Sequence, residues 1–185
     1  MNTMPTIYSK RIILRPFTAD DAQAVTDYAG DHDIAYNTLN IPHPYDITMA
    51  QSWIQTHQQL FDDERSLVLA IERIEPKNLI GAIGLHDIRR DYDRAEIGYW
   101  IGKSFWNQGY CTEAAIALLN YGFTHYNLNR ILAYHFSYNP ASGRVMQKIG
   151  MKHEGTLRQH VKKLGTYIDL EVYGILRGEW ENLKT

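Results

Sequence analysis

Residues 9–16 alternate, with Ile12 and Leu14 set against Arg11, Ile13 and Arg15, and so predict a strand. Thr18, followed three residues later by Asp21, makes a capping-box pattern that opens a helix running to about Gly30. Residues 31–46 (DHDIAYNTLNIPHPYD) are rich in turn formers and read as a long loop, a length more often functional than incidental. Thr48 with Gln51 opens a second helix, whose Ala50, Trp53, Ile54, His57 and Phe61 share one face. His57 on that apolar face is expected to be a packed core histidine. Residues 66–74, 79–88 and 94–102 then predict three strands joined by short turns at 75–78 and 90–93, an antiparallel meander. A helix follows at about 112–126, with Ala115, Leu118, Leu119, Gly122, Phe123 and Tyr126 at helical spacing, then a strand at 130–136. Asn139 caps a short helix, Pro140 takes its first position and Gly150 ends it. Residues 152–161 and 167–176 close the chain as a hairpin turning through Leu164 and Gly165. The order predicts an α/β (α+β) sandwich around one sheet, with residues 1–185 forming a single domain.

Composition narrows the function classes. At 185 residues the chain can bury well over half of its unfolded surface, so it needs neither metal nor disulfide to fold. The formal net charge is −2 and there is no long basic run, which disfavours a nucleic-acid partner. Cys111 is the only cysteine, which excludes an internal disulfide and a cysteine-rich zinc site. The eight histidines show no HExxH-type spacing, so no metal is expected. No apolar stretch resembles a signal peptide or spans a bilayer; the cytoplasm is the expected location and no membrane partner is expected.

Two segments carry candidate chemistry. Between Gly102 and Thr112 (GKSFWNQGYCT) a strand gives way to a long helix within about ten residues, with Gly109 just ahead of it. The first amides of a helix lack internal partners and carry partial positive charge, and a glycine there lets them approach a diphosphate closely. Taken alone, the glycine is better explained by the sterics of a strand–helix joint. Asn139 and Ser142 (NPASGRVMQKIG) likewise read, on helix chemistry alone, as a cap and a surface residue.

In this order, however, the blocks resemble the GNAT superfamily of N-acetyltransferases, in its Rim-type, ribosomal-protein-acetyltransferase-like branch. RIILRPFTADD (11–21) is similar to the family's first strand and helix, AEIGYWI (95–101) to its central strand, and WNQGYCTEA (106–114) to its pyrophosphate loop. Residues 139–150 resemble the helix that follows, and LRQH (157–160) with YGIL (173–176) the closing hairpin. The resemblance covers nearly the whole chain. It implies a mixed, mostly antiparallel twisted sheet flanked by helices, acetyl-CoA as co-substrate, and direct acetyl transfer to an amine. The amine is a protein N-terminus or a small molecule, and a homodimer is compatible with the family. A catalytically idle acetyl-CoA-binding or sensing module is the alternative.

Cofactor contacts are expected from Trp106, Asn107, Gln108, Gly109, Tyr110, Cys111 and Thr112, and from Asn139 and Ser142. Trp106 and Cys111 stand where the superfamily commonly has Arg or Gln and Gly or Ala. Backbone groups near Trp100 and Ile101 are expected to hold the pantetheine arm and the thioester oxygen, where each good hydrogen bond is worth about 3 kcal/mol of barrier. Glu96 is the first candidate for general base, though a structural ion pair with Arg130 is an equal reading; His160 is the second. Ser142 is the candidate acid for the departing thiolate, with Tyr173 in reserve. His135 can face either the cleft or the back of the sheet. Cys111 at a helix N-terminus invites a nucleophile reading, which the resemblance opposes. The loop 31–46, with His32, Tyr36, Asn40, His43 and Tyr45, is expected to select the acceptor.

Overall fold

The computed structural model describes residues 3–183. Strands β1 (Ile7–Tyr8) and β2 (Ile12–Arg15) are followed by a 3-10 turn and helix α1 (Ala22–Ala29). Thr18 N–H donates to Asp21 Oδ2 at 2.7 Å, and the same carboxylate takes Arg15 at 2.8 Å, so the expected cap also ties β2 to α1. Helix α3 (Ile47–Asp62) precedes the meander of β3 (Leu67–Arg73), β4 (Asn78–Arg89) and β5 (Arg94–Ile101), separated from α1 by a short α2 (His32–Asn37). Then come α4 (Tyr110–His125), β6 (Arg130–Phe136), α5 (Pro140–Lys148), the hairpin β7 (Lys152–Lys163) and β8 (Thr166–Leu176), and α6 (Arg177–Asn182). Leu164 (φ 49°) and Gly165 (φ 83°) form the two-residue hairpin turn, both with the positive φ that matches strand twist.

The strands form one sheet in the order β1-β2-β3-β4-β5-β6-β8-β7, antiparallel throughout except for β5 and β6. Alternation along each strand gives the sheet two apolar faces. On the back, Leu69, Ile83, Leu85, Ile97 and Ile131 bury against Leu118, Leu119 and Phe123 of α4. On the front, Ala70 and Leu79 bury against Ala22 and Val25 of α1 and Ala50 of α3, with Trp53, Ile54 and Trp100 packed around them.

The expected loop 31–46 is partly helical. Asp31 caps α2 by accepting from Asp33 N–H at 2.7 Å, and Asn37 and Thr38 bond back to carbonyls four residues earlier. Burial of Ile34 and Ala35 supplies the tertiary support that a six-residue helix needs. Asp46, two residues ahead of the expected Thr48, caps α3 by accepting from Thr48 and Met49 N–H.

His57 is buried as expected, but neither ring nitrogen has a hydrogen-bond partner. Its ring is wedged between Trp53 (4.5 Å between centroids) and Phe17 (5.3 Å). Burial, and then the neighbouring His86, lower its pKa from 6.5 to about 4. The unfolded chain therefore binds a proton at His57 below pH 6.5 that the folded chain refuses until about pH 4. Stability should fall as pH drops through that window, by roughly 3 kcal/mol. We expect His57→Phe, which removes the unpaired nitrogens, to flatten the acid side of a Tm-against-pH curve; an unchanged slope would assign the acid sensitivity elsewhere.

Candidate active site

The cleft is made by the one parallel pair. β5 and β6 pair only at Arg94–Arg130, Ala95–Ile131 and Glu96–Leu132. Beyond that, β5 continues to Ile101 paired with β4 alone, and β6 to Phe136 paired with β8 alone. The two strands diverge into a V. Gly102 N–H donates to Ile80 O at 2.8 Å, so ladder alternation turns the even-numbered residues of β5 toward β4. The backbone groups of Ile97, Tyr99 and Ile101 then face the opening. Of the two expected donors, Ile101 therefore lies on the cleft, while Trp100 directs its backbone to β4 and its side chain into the front core. Trp106 Nε1 donates to Ile101 O at 2.7 Å, which ties the connector back onto the end of the strand.

Behind the V, Gly109 precedes α4 with φ 80°, a left-handed conformation that L side chains take at a cost, and Asn107 is left-handed too. Helix α4 starts at Tyr110, two residues earlier than its apolar spacing predicts, because the turn closes on the glycine. The loop is braced by Arg11, to which strand alternation alone assigns no role. Its guanidinium donates to Glu113 Oε2 at 2.7 Å and to Gln108 O at 3.0 Å, and stacks 4.5 Å from the Tyr110 ring centroid. Arg11 thus neutralises the one carboxylate in the first turn of α4, at a helix end suited to anions.

Glu96 points to the front face with Trp100, opposite Ile97, Tyr99 and Ile101, as alternation predicts. The ion-pair reading fails: Arg130 is held by Glu154 across to β7. Burial, and then Asp87, push the Glu96 carboxyl above the ordinary carboxylate range, while Arg94 pulls it down. His86 stands beside it in register, with its Nδ1 3.0 Å from Ser66 Oγ.

On the other side of the V, Asn139 caps α5 by accepting from Ser142 N–H at 3.3 Å. Ser142 Oγ lies 3.2 Å from the hydroxyl of Tyr99, which is also 3.1 Å from Ser142 O. Tyr99 joins β5 to α5 across the cleft and went unnoticed in the sequence. Tyr173, the reserve acid, is buried beneath α5, its hydroxyl accepting from Gln147 Nε2 at 3.2 Å. His135 faces the back: a Cβ on Gly143 of α5 would sit 2.7 Å from its Nε2. His160 is exposed on a bulge where Arg158, Gln159 and His160 stand opposite Asp169 alone, whose carboxylate takes Gln159 N–H at 2.6 Å. The structure thus brings Glu96, Ser142 and the Gly109 loop around one cleft and sets Tyr173 and His135 behind it. Burial pushes the Cys111 thiol up to about 12, which leaves it protonated and argues against the nucleophile reading.

Two shallow pockets flank α2. One, of about 390 Å³, lies at the β5 end and is lined by Asp27, Tyr28, Asp31 and Lys103. The other, of about 360 Å³, lies between the α2–α3 connection and the β7–β8 turn. Tyr36 on its wall lies 4.8 Å from the ring of Tyr138, two residues beyond β6, at a tilt of 33°, and its carbonyl accepts a hydrogen bond from the Tyr138 hydroxyl.

A sheet that opens at its single parallel pair, with a glycine-capped helix behind the opening, defines an acetyltransferase fold. Mycobacterium smegmatis RimJ, solved in complex with CoA-disulfide, shares it with a TM-score of 0.87 over 95% of this chain and 88% of that one, at 24% identity. The acetyltransferase (GNAT) domain family matches residues 11–152. The uncharacterized N-acetyltransferase YoaA of Bacillus subtilis (strain 168) is 37% identical over 174 residues, 94% of this chain and 97% of that protein. The putative ribosomal N-acetyltransferase YdaF of the same organism is 37% identical over 107 residues, 58% of each chain. The chain belongs to the GNAT acetyltransferase family and is an N-acetyltransferase. The YdaF similarity agrees with the Rim-type resemblance, and the RimJ likeness with the fold. Among the described residues no helix is long and apolar enough to cross a membrane.

Proposed function

We propose that the protein transfers acetyl from acetyl-CoA directly to a primary amine, with residues 1–185 as one catalytic domain. The observation that carries this reading is the coincidence at one V of a left-handed glycine at a helix N-terminus, the free backbone edge of β5, and a carboxylate held above its ordinary pKa. The residues fit the co-substrate. The backbone of Gln108, Gly109, Tyr110, Cys111 and Thr112 offers N–H groups to a diphosphate, Arg11 braces that loop, and Asn107 and Trp106 shape its entry. Ile101 N–H lies where the thioester oxygen would be met.

The acceptor enters from the front. Glu96 takes a proton from its ammonium through intervening water, the neutral nitrogen attacks the thioester carbon, the C–N bond forms and the C–S bond breaks. Sulfur leaves as thiolate and takes a proton from Ser142, whose hydroxyl Tyr99 orients; the second proton of the attacking nitrogen restores the Ser142 hydroxyl through solvent, and Glu96 passes the first to bulk water. Tyr173, spent on Gln147, is not needed for this step, and His160 stands outside it. The name of YdaF, a putative ribosomal N-acetyltransferase, favours a protein amine over a small one as the acceptor class. An acetyl-CoA-binding module without chemistry would have no use for a perturbed carboxylate facing the acceptor side.

Calorimetric titration with acetyl-CoA tests the first half: one site per chain is expected, and no binding would remove the reading. For the second half, Ser142→Ala should lower kcat about tenfold to hundredfold with the KM for acetyl-CoA little changed. That loss lies at or below the low end for acid catalysis because a thiolate is already a good leaving group. Full activity in the variant would move the acid elsewhere.

A further inference from the structure

The pocket between the α2–α3 connection and the β7–β8 turn carries charge that the acetyl-transfer reading leaves unused. Its wall includes His32, Tyr36, His43, Lys162 and Lys163, and no aspartate or glutamate lines it. Lys163 Nζ donates to the carbonyls of Thr38 and Leu39, which strap the turn to the loop but leave its charge uncompensated. Lys162 Nζ lies 5.2 Å over the Tyr167 ring, again without a carboxylate. The nearby carboxylates are committed elsewhere: Asp31 caps α2, Asp33 is paired with Lys103, and Asp46 caps α3. A local excess of positive charge therefore stands on a chain whose net charge is −2. The other pocket differs, since Asp27 and Asp31 there offset Lys103.

This pocket is joined to the reacting centre. Tyr36 on its wall contacts Tyr138, and Tyr138 directly precedes Asn139, the cap that carries Ser142. The charge map from cleft to rim thus runs from negative at Glu96 to positive at Lys162 and Lys163. An ammonium is welcome at the first and repelled at the second.

We propose that the acceptor is a peptide amine followed within a few residues by carboxylates, the amine reaching the cleft while Lys162 and Lys163 draw the acidic stretch to the rim. The inference rests on the acetyl-transfer reading and adds the charge of the substrate. Rim cations of this kind act on specificity and capture more than on the chemical step, so the effect belongs in KM. A polyamine, whose second cation would meet the lysines, is selected against.

The test is acetyl-CoA-dependent thiol release with three amines: the peptide Ser-Glu-Glu-Ala, its isostere Ser-Gln-Gln-Ala, and spermidine. We expect kcat/KM for the acidic peptide to exceed that for the neutral peptide by about tenfold and that for spermidine by more, at low salt. Lys162→Glu, at a surface position outside the cleft, should raise KM for the acidic peptide and erase or invert the preference while kcat stays within about twofold. The proposal is overturned if spermidine or the neutral peptide is turned over as well as the acidic peptide. It is equally overturned if the preference survives Lys162→Glu with the variant folded by circular dichroism. Thiol release with no amine at all would instead remove the transfer reading, and this inference with it.

Discussion

Glu96→Gln should lower kcat by about 10²–10⁴-fold while acetyl-CoA binds as before, because the variant keeps the size and hydrogen bonding of the side chain but cannot take a proton. The wild-type pH profile is the companion result. Activity needs the carboxylate, so the rate rises with pH through the Glu96 pKa. Burial and Asp87 place that pKa above the ordinary range, so the acid limb should lie at higher pH than for a solvated glutamate. Asp87→Asn removes a raising influence and should move the limb to lower pH. Arg94→Gln removes a lowering one and should move it to higher pH. A purely structural Glu96 would show neither shift, and a variant with full turnover would end its role as base.

Gly109→Val is the second large effect, and it acts on binding. At φ 80° a β-branched residue is strained by about 1–2 kcal/mol, and its Cβ would stand 3.4 Å from Arg11 Nη2. The loop must open, and the amides of the first turn of α4 move off the diphosphate position. Two lost hydrogen bonds to a charged group, at about 1.5–3 kcal/mol each, raise the Kd for acetyl-CoA by about a hundredfold or more. Calorimetry on wild type and variant measures this directly. A Kd within twofold of wild type would place the diphosphate elsewhere. Because the Gly109 turn lies at the surface of the core rather than inside it, unfolding should change by no more than the strain itself.

The elements were legible in the chain because their patterning is regular. The β3–β5 meander, the Thr18–Asp21 cap and the Asn139–Pro140 start of α5 lie close to where residue periods and caps place them. Helix α2 was not legible: six residues lie below any reliable helical period, and it exists because Asp31 caps it and Ile34 and Ala35 find a core. For the site, what was readable was local. Gly109 ahead of a helix and Glu96 on a central strand can be seen in one window of sequence.

What joins them is long-range. Arg11 reaches Glu113 across 102 positions and Tyr99 reaches Ser142 across 43, and no local pattern encodes either contact. The same limit explains the corrections. Arg130 was a reasonable partner for Glu96 until β7 brought Glu154 to it, and His160 sat near the right strand until a bulge turned it outward. The two unpaired nitrogens of His57 likewise emerge only once Phe17 and Trp53 close around the ring.

The central claim is that the cleft performs acetyl transfer and does not merely bind a thioester. It is tested most directly by following acetyl-CoA with an accepted amine and measuring thiol and acetylated amine together, the second by mass spectrometry. The account predicts one acetylated amine for each thiol, no acetyl left on the protein, and loss of both signals together in Glu96→Gln. Acetyl-CoA that binds at the Gly109 loop yet is never consumed, or thiol released at the same rate without the amine, would contradict it.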